Sequence, residues 1–158
     1  MRILIIGNSG SGKSHRAKAL AARHDLVHLD LDTLVWEPGK IAVPRAPDLV
    51  RADLLAFVSG HAAWVAEGCY GDLAELALPY CSELVFMHPG LGVCLENNRR
   101  RPWEPHKYAS MEAQQEKLPF LLGWVEGYYT REDAMSYACH RHLFDGFMGV
   151  KTEVTAQE

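Results

Sequence analysis

Residues 2–14, RILIIGNSGSGKS, carry the clearest structural signal in the chain. Residues 2–6 form a short apolar run, rich in β-branched side chains, that ends at Gly7, which predicts a buried strand. Residues 13–22 then carry helix formers, which predicts a helix directly after the glycines. A strand, a glycine-rich loop and a helix in this order predict a βα unit of a parallel sheet.

The glycine-rich loop between this strand and helix is called here the phosphate loop. It matches the pattern G-x-x-x-x-G-K-S/T through Gly7, Asn8, Ser9, Gly10, Ser11, Gly12, Lys13 and Ser14. The glycines let backbone N–H groups converge on phosphate oxygens, and the helix N-terminus adds partial positive charge. Lys13 supplies a full charge to the β- and γ-phosphates, and the Ser14 hydroxyl ligates Mg²⁺. The loop therefore predicts binding of ATP or GTP with Mg²⁺, and the absence of a guanine-reading N-K-x-D sequence favours ATP.

Size and composition set limits on the kind of protein. Residues 1–158 fit a single domain that can bury a core without disulfides or metal. The contents of 48% apolar and 23% charged residues are usual for a globular protein, and the net charge of -4 gives no bulk attraction to nucleic acid or membrane. No apolar run is long enough to span a membrane, and the N-terminus does not resemble a signal peptide. We therefore expect a cytoplasmic protein with no membrane partner, for which a nucleic-acid partner is disfavoured and the oligomeric state stays open.

Strands and helices alternate along the rest of the chain. Further strands are predicted at residues 25–31, 63–66, 83–88 and 150–155, and further helices at 48–59, 91–99, 111–129 and 133–147. Asp48 is the predicted N-cap of its helix. The alternation predicts a three-layer α/β/α fold with a five-stranded, mostly parallel sheet. Residues 91–130 form a predicted helical lid region, in which residues 99–110 are a candidate mobile loop.

Acidic residues follow the second and third predicted strands, where a doubly wound sheet binds its ligand. Asp30 and Asp32 would share one strand face, and Asp32 is the preferred base for an acceptor hydroxyl. Both are candidate Mg²⁺ ligands, as is Glu67 after the third strand. Gly68 and Tyr70 are candidate substrate-binding residues, because a glycine there allows close backbone approach. The alternatives are that the aspartates cap a turn, that Glu67 is structural and that Tyr70 only packs.

Arginines supply the predicted lid chemistry. Phosphoryl transfer spreads negative charge over the equatorial oxygens, and a closing segment with arginines can stabilise that charge. Arg99, Arg100 and Arg101 are catalytic candidates for this role, with a solvated basic helix end as the alternative. Arg45 and Arg51 are candidates for binding an anionic acceptor, although both could equally be solvated residues beside a helix.

Four stretches of the chain resemble small P-loop kinases of the adenylate and shikimate kinase type. They are IIGNSGSGKS (5–14), HLDLDTLVWEPG (28–39), WVAEGCY (64–70) and ELVFMHP (83–89), the last followed by the arginines. The chain resembles especially a bacterial group known as topology modulation (FlaR-type) proteins. The resemblance implies the P-loop NTPase fold, ATP as donor, Asp32 in the acceptor site and a lid with arginines. Shikimate kinases have a glycine triplet where this chain has residues 68–70, which counts against shikimate as the acceptor.

Two functions follow from these features. The first is an ATP-dependent phosphotransferase that transfers the γ-phosphate of Mg-ATP to a hydroxyl or phosphate group on a small molecule or nucleotide. The second is a nucleotide-binding regulatory ATPase whose slow hydrolysis changes the lid for a macromolecular partner. A kinase of RNA ends would need a larger basic groove than the sequence indicates.

Overall fold

The computed structural model describes residues 1–157, which contain five strands and seven helices. The strands are β1 (Arg2–Gly7), β2 (Val27–Asp30), β3 (Trp64–Gly68), β4 (Glu83–Met87) and β5 (Val150–Val154). The helices are α1 (Lys13–His24), α2 (Asp32–Val35), α3 (Pro47–Gly60), α4 (Gly71–Ala77), α5 (Leu91–Arg99), α6 (Met111–Glu126) and α7 (Tyr137–Gly146). Short 3₁₀ turns follow α4 and α6.

All five strands are parallel, in the order β2-β3-β1-β4-β5. Near the end of the central strand β1, Ile6 lies opposite Gly68 of β3 and Phe86 of β4. In the neighbouring pair, Asp30 of β2 lies opposite Glu67 of β3. The carboxyl ends of these strands therefore meet beside the phosphate loop, at the edge where open α/β sheets bind ligands.

Two hydrophobic cores cover opposite faces of the sheet. One contains Leu4 and Ile6 of β1 together with buried residues of α3, α4 and α7. The other contains Ile3 and Ile5 of β1 together with Ala17 of α1. Since successive strand residues point to opposite faces, β1 is buried on both sides between layers of helices. The prediction of a three-layer α/β/α fold with a five-stranded sheet is confirmed, and the sheet is parallel throughout.

The second strand is shorter than the prediction over residues 25–31. At its start, Asp25 ends α1 in the left-handed conformation, with φ of 52°. At its end, Leu31 is already helical, with φ of -61° and ψ of -26°, and α2 begins at Asp32. Because β2 stops at Asp30, the prediction that the two aspartates share one strand face is wrong.

Two helices begin at residues other than those predicted. Pro47 occupies the first turn of α3, where its fixed φ suits a helix start, so Asp48 lies within the first turn and does not cap it. The last helix does not start at residue 133. Ser136 caps it instead, and its side chain accepts a hydrogen bond from the N–H of Cys139.

Two short helices, α2 and α4, had no counterpart in the sequence prediction. Three apolar residues of α4, Leu73, Ala74 and Ala77, are buried at helical spacing against the core. The lid helix α6 has 16 residues, and the predicted continuation to residue 129 is a 3₁₀ turn. Within residues 1–157, no helix combines the length and the apolar character that crossing a membrane requires.

Candidate active site

A cavity of about 970 Å³ opens at the carboxyl ends of β1, β2 and β3. Its walls come from the phosphate loop, from the ends of β2 and β3, from α6 and from residues 100–110, here called the lid loop. They include Lys13, Asp30, Asp32, Glu67, Tyr70, Arg101, Trp103 and Lys107. The volume lies at the upper end of the range for ligand sites, which leaves room for two small ligands side by side.

The phosphate loop has the backbone conformation of an anion-binding loop. Gly10 has φ of 80°, and a Cβ atom there would lie 2.4 Å from the carbonyl oxygen of Cys94. Gly12 precedes α1 in the left-handed conformation, and no side chain caps this end of the helix. The first N–H groups of α1 are therefore left for a ligand in the cavity.

The polar side chains of the phosphate loop also fit a bound polyphosphate. Lys13 is only 8% exposed, and its ammonium group donates to the carbonyl oxygen of Asn8 at 2.7 Å. Within residues 1–157, Asn8 Oδ1 and Ser11 Oγ are buried and have no hydrogen-bond partner. Buried polar atoms without partners are unfavourable, and a phosphate oxygen could accept from the Ser11 hydroxyl. The loop therefore fits the phosphate groups that its sequence predicts.

Helix α5 and its last turn hold the phosphate loop in place. Asn97 Nδ2 donates to the carbonyl oxygen of Gly10 at 2.8 Å, and Asn98 Nδ2 donates to that of Ser9 at 3.1 Å. The Ser9 hydroxyl donates to Asn98 Oδ1 at 3.0 Å and accepts from Arg101 at 3.1 Å. The two asparagines were missed by the sequence analysis, although adjacent amides in a helix just before the arginine run were an available signal.

The structure distinguishes the three candidate lid arginines. Arg99 and Arg100 both pair with Glu96, and their side chains are 50% and 77% exposed. Arg100 lines the cavity and Arg99 does not. Arg101 is 25% exposed, contacts the phosphate loop through Ser9 and lines the cavity. Of the three, Arg101 is therefore the one that contacts the phosphate loop.

A pair of carboxylates lies at the ends of β2 and β3. Burial and the nearby charges of Glu67 and Asp32 raise the pKa of Asp30 from 3.8 to about 6. Glu67 is 2% exposed, and its Oε1 has no hydrogen-bond partner within residues 1–157; the nearest cationic candidate, His28 Nε2, is 3.7 Å away. Two neighbouring carboxylates, one of them buried and incompletely paired, fit a divalent cation or its water ligands.

Asp32 is held by two side chains from other parts of the chain. The Tyr70 hydroxyl donates to Oδ1 at 2.5 Å, and the Lys107 ammonium donates to Oδ2 at 2.9 Å. Burial alone would raise the pKa of Asp32, but the charge of Lys107 and both hydrogen bonds hold it below its usual range. Asp32 is therefore an ionised carboxylate in the cavity, fixed in orientation, with lone pairs left for another donor.

The other predicted substrate residues differ in position. Gly68 lines the cavity, but a Cβ atom there would lie 2.9 Å from the Cβ of Leu31, so packing against Leu31 also requires the glycine. Arg45 donates to Asp53 at 2.7 Å and to the carbonyl oxygen of residue 34 at 3.0 Å. Arg51 is exposed on α3. Neither arginine lines the cavity, so the structure does not bring them to the acceptor side.

The lid loop folds back over Asp32. Trp103 Nε1 donates to the carbonyl oxygen of Tyr108 at 2.9 Å, and the N–H of Glu104 donates to the Gln114 side chain at 2.8 Å. This arrangement brings Lys107 to Asp32 and within 3.9 Å of Glu104. The sequence analysis missed Lys107 and Glu104, because single charged residues in a polar loop give no signal for a contact 75 residues away.

The part of the cavity around Asp32, where the sequence predicts the acceptor, is called here the acceptor wall. It consists of Trp36, Asp30, Asp32, Glu67, Tyr70, Trp103, Glu104, Lys107 and Tyr108, all of which line the cavity. Phe120, Leu121 and Trp124 of α6 line the same cavity. Trp36 Nε1 is buried, and within residues 1–157 it has no hydrogen-bond partner. The acceptor wall thus combines carboxylates, one ammonium group and several aromatic rings.

A buried histidine connects the end of the lid helix to this wall. His140 is fully buried, and its Nε2 donates to the carbonyl oxygen of Cys69 at 2.8 Å. Its Nδ1 is then left to accept from the Tyr128 hydroxyl at 2.7 Å. Burial lowers the pKa of His140 to about 4, so the ring is neutral near pH 7. The backbone next to Tyr70 is thereby fixed against the turn after α6.

These features define a three-layer α/β fold of the P-loop type: a phosphate loop between β1 and α1, a five-stranded parallel sheet and a lid loop over the cavity. No family model matches the sequence, and no curated protein matches it.

Solved structures that match include three kinases. A gluconokinase from Sinorhizobium meliloti 1021 is 23% identical with a TM-score of 0.47, covering 99% of this chain and 83% of that one. Shikimate kinase from Acinetobacter baumannii is 17% identical with a TM-score of 0.45, covering 89% of each chain. A sugar kinase from Janibacter sp. HTCC2649 is 14% identical with a TM-score of 0.48, covering 96% of this chain and 83% of that one. Likeness at this distance does not extend to activity or substrate.

Proposed function

We propose that this protein is an ATP-dependent phosphotransferase that transfers the γ-phosphate of Mg-ATP to a hydroxyl group of a small acceptor. One observation carries the proposal: the phosphate loop and the ionised carboxylate of Asp32 line the same cavity, close enough for the charge of Lys13 to lower the pKa of Asp32. A protein that only bound nucleotide would need the loop alone. Donor and acceptor groups in one cavity permit direct transfer between two bound substrates.

The donor side would bind ATP through the phosphate loop. Backbone N–H groups of the loop and of the first turn of α1 would contact the phosphates, with Lys13 at the β- and γ-phosphates. Mg²⁺, when bound to Ser14 and to Asp30 and Glu67 directly or through water, would shield the charge that develops on the phosphates. The buried, incompletely paired oxygen of Glu67 supports this ligand set.

A second acidic group lies nearby, formed by Asp32, Glu104 and His106, whose ligand atoms lie within 4.8 Å of one another. The Lys107 ammonium is 2.9 Å from Asp32 and 3.9 Å from Glu104. Because this positive charge opposes a cation at the same place, we assign Asp32 to the acceptor and not to the metal.

Asp32 would orient the acceptor hydroxyl and take up its proton. As the acceptor oxygen forms its bond to the γ-phosphorus, the bond from phosphorus to the β–γ bridging oxygen breaks and ADP leaves with that electron pair. The hydroxyl proton passes to a carboxylate oxygen of Asp32. Transfer of this proton late in the reaction suits a carboxylate with a lowered pKa, since the transition state of phosphoryl transfer is loose.

Arg101 would stabilise the charge on the transferred group. Its guanidinium lies on the phosphate loop through Ser9 and is also 3.5 Å from Glu104. This position between the two sides of the cavity suits a cation that acts on the equatorial oxygens.

A nucleotide-dependent regulatory ATPase is the second candidate. The contact between Lys107 and Asp32 favours it, because the chain's own ammonium group occupies the acceptor carboxylate. Release of the lid loop on nucleotide binding or hydrolysis would then be the signal to a macromolecular partner.

For either function we place the protein in the cytoplasm, and we assign it to the topology modulation group on the four stretches of resemblance alone.

The test is ADP release from ATP and Mg²⁺, with and without pooled nucleosides, nucleoside monophosphates, sugars, hydroxy acids and nucleic-acid ends. Lys13→Ala serves as the blank, and Lys117→Ala, an exposed lysine outside the cavity, is the matched control. A pool that raises the Lys13-dependent rate at least tenfold supports the phosphotransferase. A slow rate that no pool changes favours the regulatory ATPase, and a rate that Lys13→Ala does not lower rejects both.

A further inference from the structure

The charges of the acceptor wall are unevenly distributed. The wall carries four carboxylates, on Asp30, Asp32, Glu67 and Glu104, of which Asp30 and Glu67 are the proposed Mg²⁺ ligands, and a single ammonium group, on Lys107. Arg101, at its border, also lines the cavity. The remaining basic residues of the lining lie on α1 or at the end of α5, and they are Lys13, His15, Arg16, Lys18 and Arg100. Positive charge is therefore concentrated on the donor side.

Both cations near the acceptor already have carboxylate partners. Lys107 contacts Asp32 at 2.9 Å and Glu104 at 3.9 Å, and Arg101 contacts Glu104 at 3.5 Å. An acceptor with a phosphate or carboxylate group would have to break one of these pairs to gain a cation. It would also lie close to Asp32 and Glu104, whose negative charges repel another anion. This wall consequently disfavours an anionic acceptor.

The uncharged part of the wall is aromatic. Trp36 from the segment after α2 and Trp103 and Tyr108 from the lid loop line the same cavity as Asp32. Flat rings of this kind bind other rings by stacking, with offset or edge-to-face geometry. The buried Nε1 of Trp36 has no hydrogen-bond partner within residues 1–157, which is unfavourable for a polar atom.

We propose that the acceptor is an uncharged compound that combines an aromatic ring with a hydroxyl group, the chemistry of a nucleoside. The ring packs against Trp36 and Trp103, and the hydroxyl donates to Asp32. This inference rests on the proposed phosphotransferase function and names its substrate class. It excludes nucleoside monophosphates and hydroxy acids as preferred acceptors.

The first experiment measures kcat/KM for matched acceptors at fixed ATP and Mg²⁺. Cytidine is compared with cytidine 5′-monophosphate, adenosine with adenosine 5′-monophosphate, and glucose with gluconate. The two nucleosides are expected to exceed their monophosphates at least tenfold and to exceed glucose. A preference for the monophosphates or gluconate, or equal values within a pair, overturns the charge argument, and glucose matching the nucleosides overturns the aromatic argument. If none of these compounds raises the Lys13-dependent rate but one of the wider pools does, the nucleoside proposal fails and the phosphotransferase stands; if no pool raises it either, the proposed function itself fails.

The second experiment alters the wall. Glu104→Gln removes one carboxylate at constant size and is expected to lower the preference for cytidine over its monophosphate at least threefold. Glu112→Gln, at an exposed position outside the cavity, is the matched control and should leave the preference unchanged. Trp103→Ala is expected to raise the KM for cytidine at least fivefold, with recovery in Trp103→Phe. An unchanged preference in Glu104→Gln, or an unchanged KM in Trp103→Ala, contradicts the proposal.

Discussion

The phosphate loop and the acceptor wall face each other across one cavity but are built in different ways. The phosphate loop is eight consecutive residues, and its shape comes from glycine conformations and the start of α1. The acceptor wall takes residues from β2, α2, β3 and the lid loop, and its central contact joins Asp32 to Lys107 across 75 positions. The donor side therefore depends on local sequence, whereas the acceptor side depends on how distant segments pack.

The largest effect is expected on the donor side. Lys13→Ala removes the buried charge that is proposed to contact the phosphates, and it should lower kcat/KM for ATP by about 10²–10³-fold. Steady-state ADP formation measures this, with a direct ATP-binding titration to separate binding from chemistry. Lys117→Ala should stay within about twofold of wild type, and a similar loss there would mean that general charge matters more than the loop.

A substitution on the acceptor side should lower acceptor-stimulated turnover without weakening ATP binding. Asp32→Asn keeps the size of the side chain but removes the carboxylate, and acceptor-stimulated turnover should fall by about 10²-fold. The dissociation constant of ATP should change little, because Asp32 is not part of the phosphate loop. Asp48→Asn, at an exposed position outside the cavity, is the control. Equal losses in ATP binding and in turnover would show that the two sides are not separable.

The same contrast decides how much could be predicted from the sequence. The strand, phosphate loop and helix were predicted, because each follows from apolar run length and glycine positions within a few residues. The turn at Leu31 was not, since a helical residue at the end of an apolar strand gives no pattern of its own. It moves Asp32 from the strand to α2, yet leaves it in the cavity.

Contacts made by tertiary packing explain the remaining differences. Lys107, Glu104 and the asparagines of α5 were missed because their positions depend on the lid loop and α5 folding against other elements. The arginine run was found, but only packing distinguishes Arg101 from its neighbours. Arg45 and Arg51 were candidates for the acceptor site because of their charge, with solvated positions beside a helix as the equal alternative, and the structure leaves them outside the cavity.

Arg101 connects the two sides, so its replacement should have an intermediate effect. Arg101→Ala removes the contacts with Ser9 and Glu104, and it should lower kcat about tenfold or more through lost stabilisation of the transferred group. Arg101→Lys should recover only part of this loss, because a single ammonium cannot replace the planar guanidinium. Arg99→Ala, at a half-exposed position outside the cavity, should stay near wild type in the same kinetic assay. A loss in Arg99→Ala as large as that in Arg101→Ala would contradict the assignment.

The smallest expected effect is on the free energy of unfolding. It should differ in sign between Asp30 and Asp32, two neighbouring carboxylates of the acceptor wall. The folded protein raises the pKa of Asp30 from 3.8 to about 6, so folding favours the protonated form. The stability that the protonated Asp30 carboxyl contributes is fully present below about pH 3.8 and is lost as the pH rises through about 6. Asp30→Asn removes the cost of the buried charge, and it should raise the free energy of unfolding near neutral pH by about 1–2 kcal/mol, allowing for partial exposure.

Asp32→Asn should instead lower the free energy of unfolding near neutral pH, because the pKa of Asp32 is lowered in the folded protein and Lys107 would lose its partner. Urea unfolding at about pH 4.5 and about pH 7.5 measures both variants, and the gain in Asp30→Asn should shrink at the lower pH. At neutral pH Asp30→Asn should still lower turnover, because Asp30 is a proposed Mg²⁺ ligand. Its buried charge would then serve activity at the expense of stability. Destabilisation by both variants at neutral pH would mean that the two aspartates are held by the same kind of contact, and the comparison between them would fail.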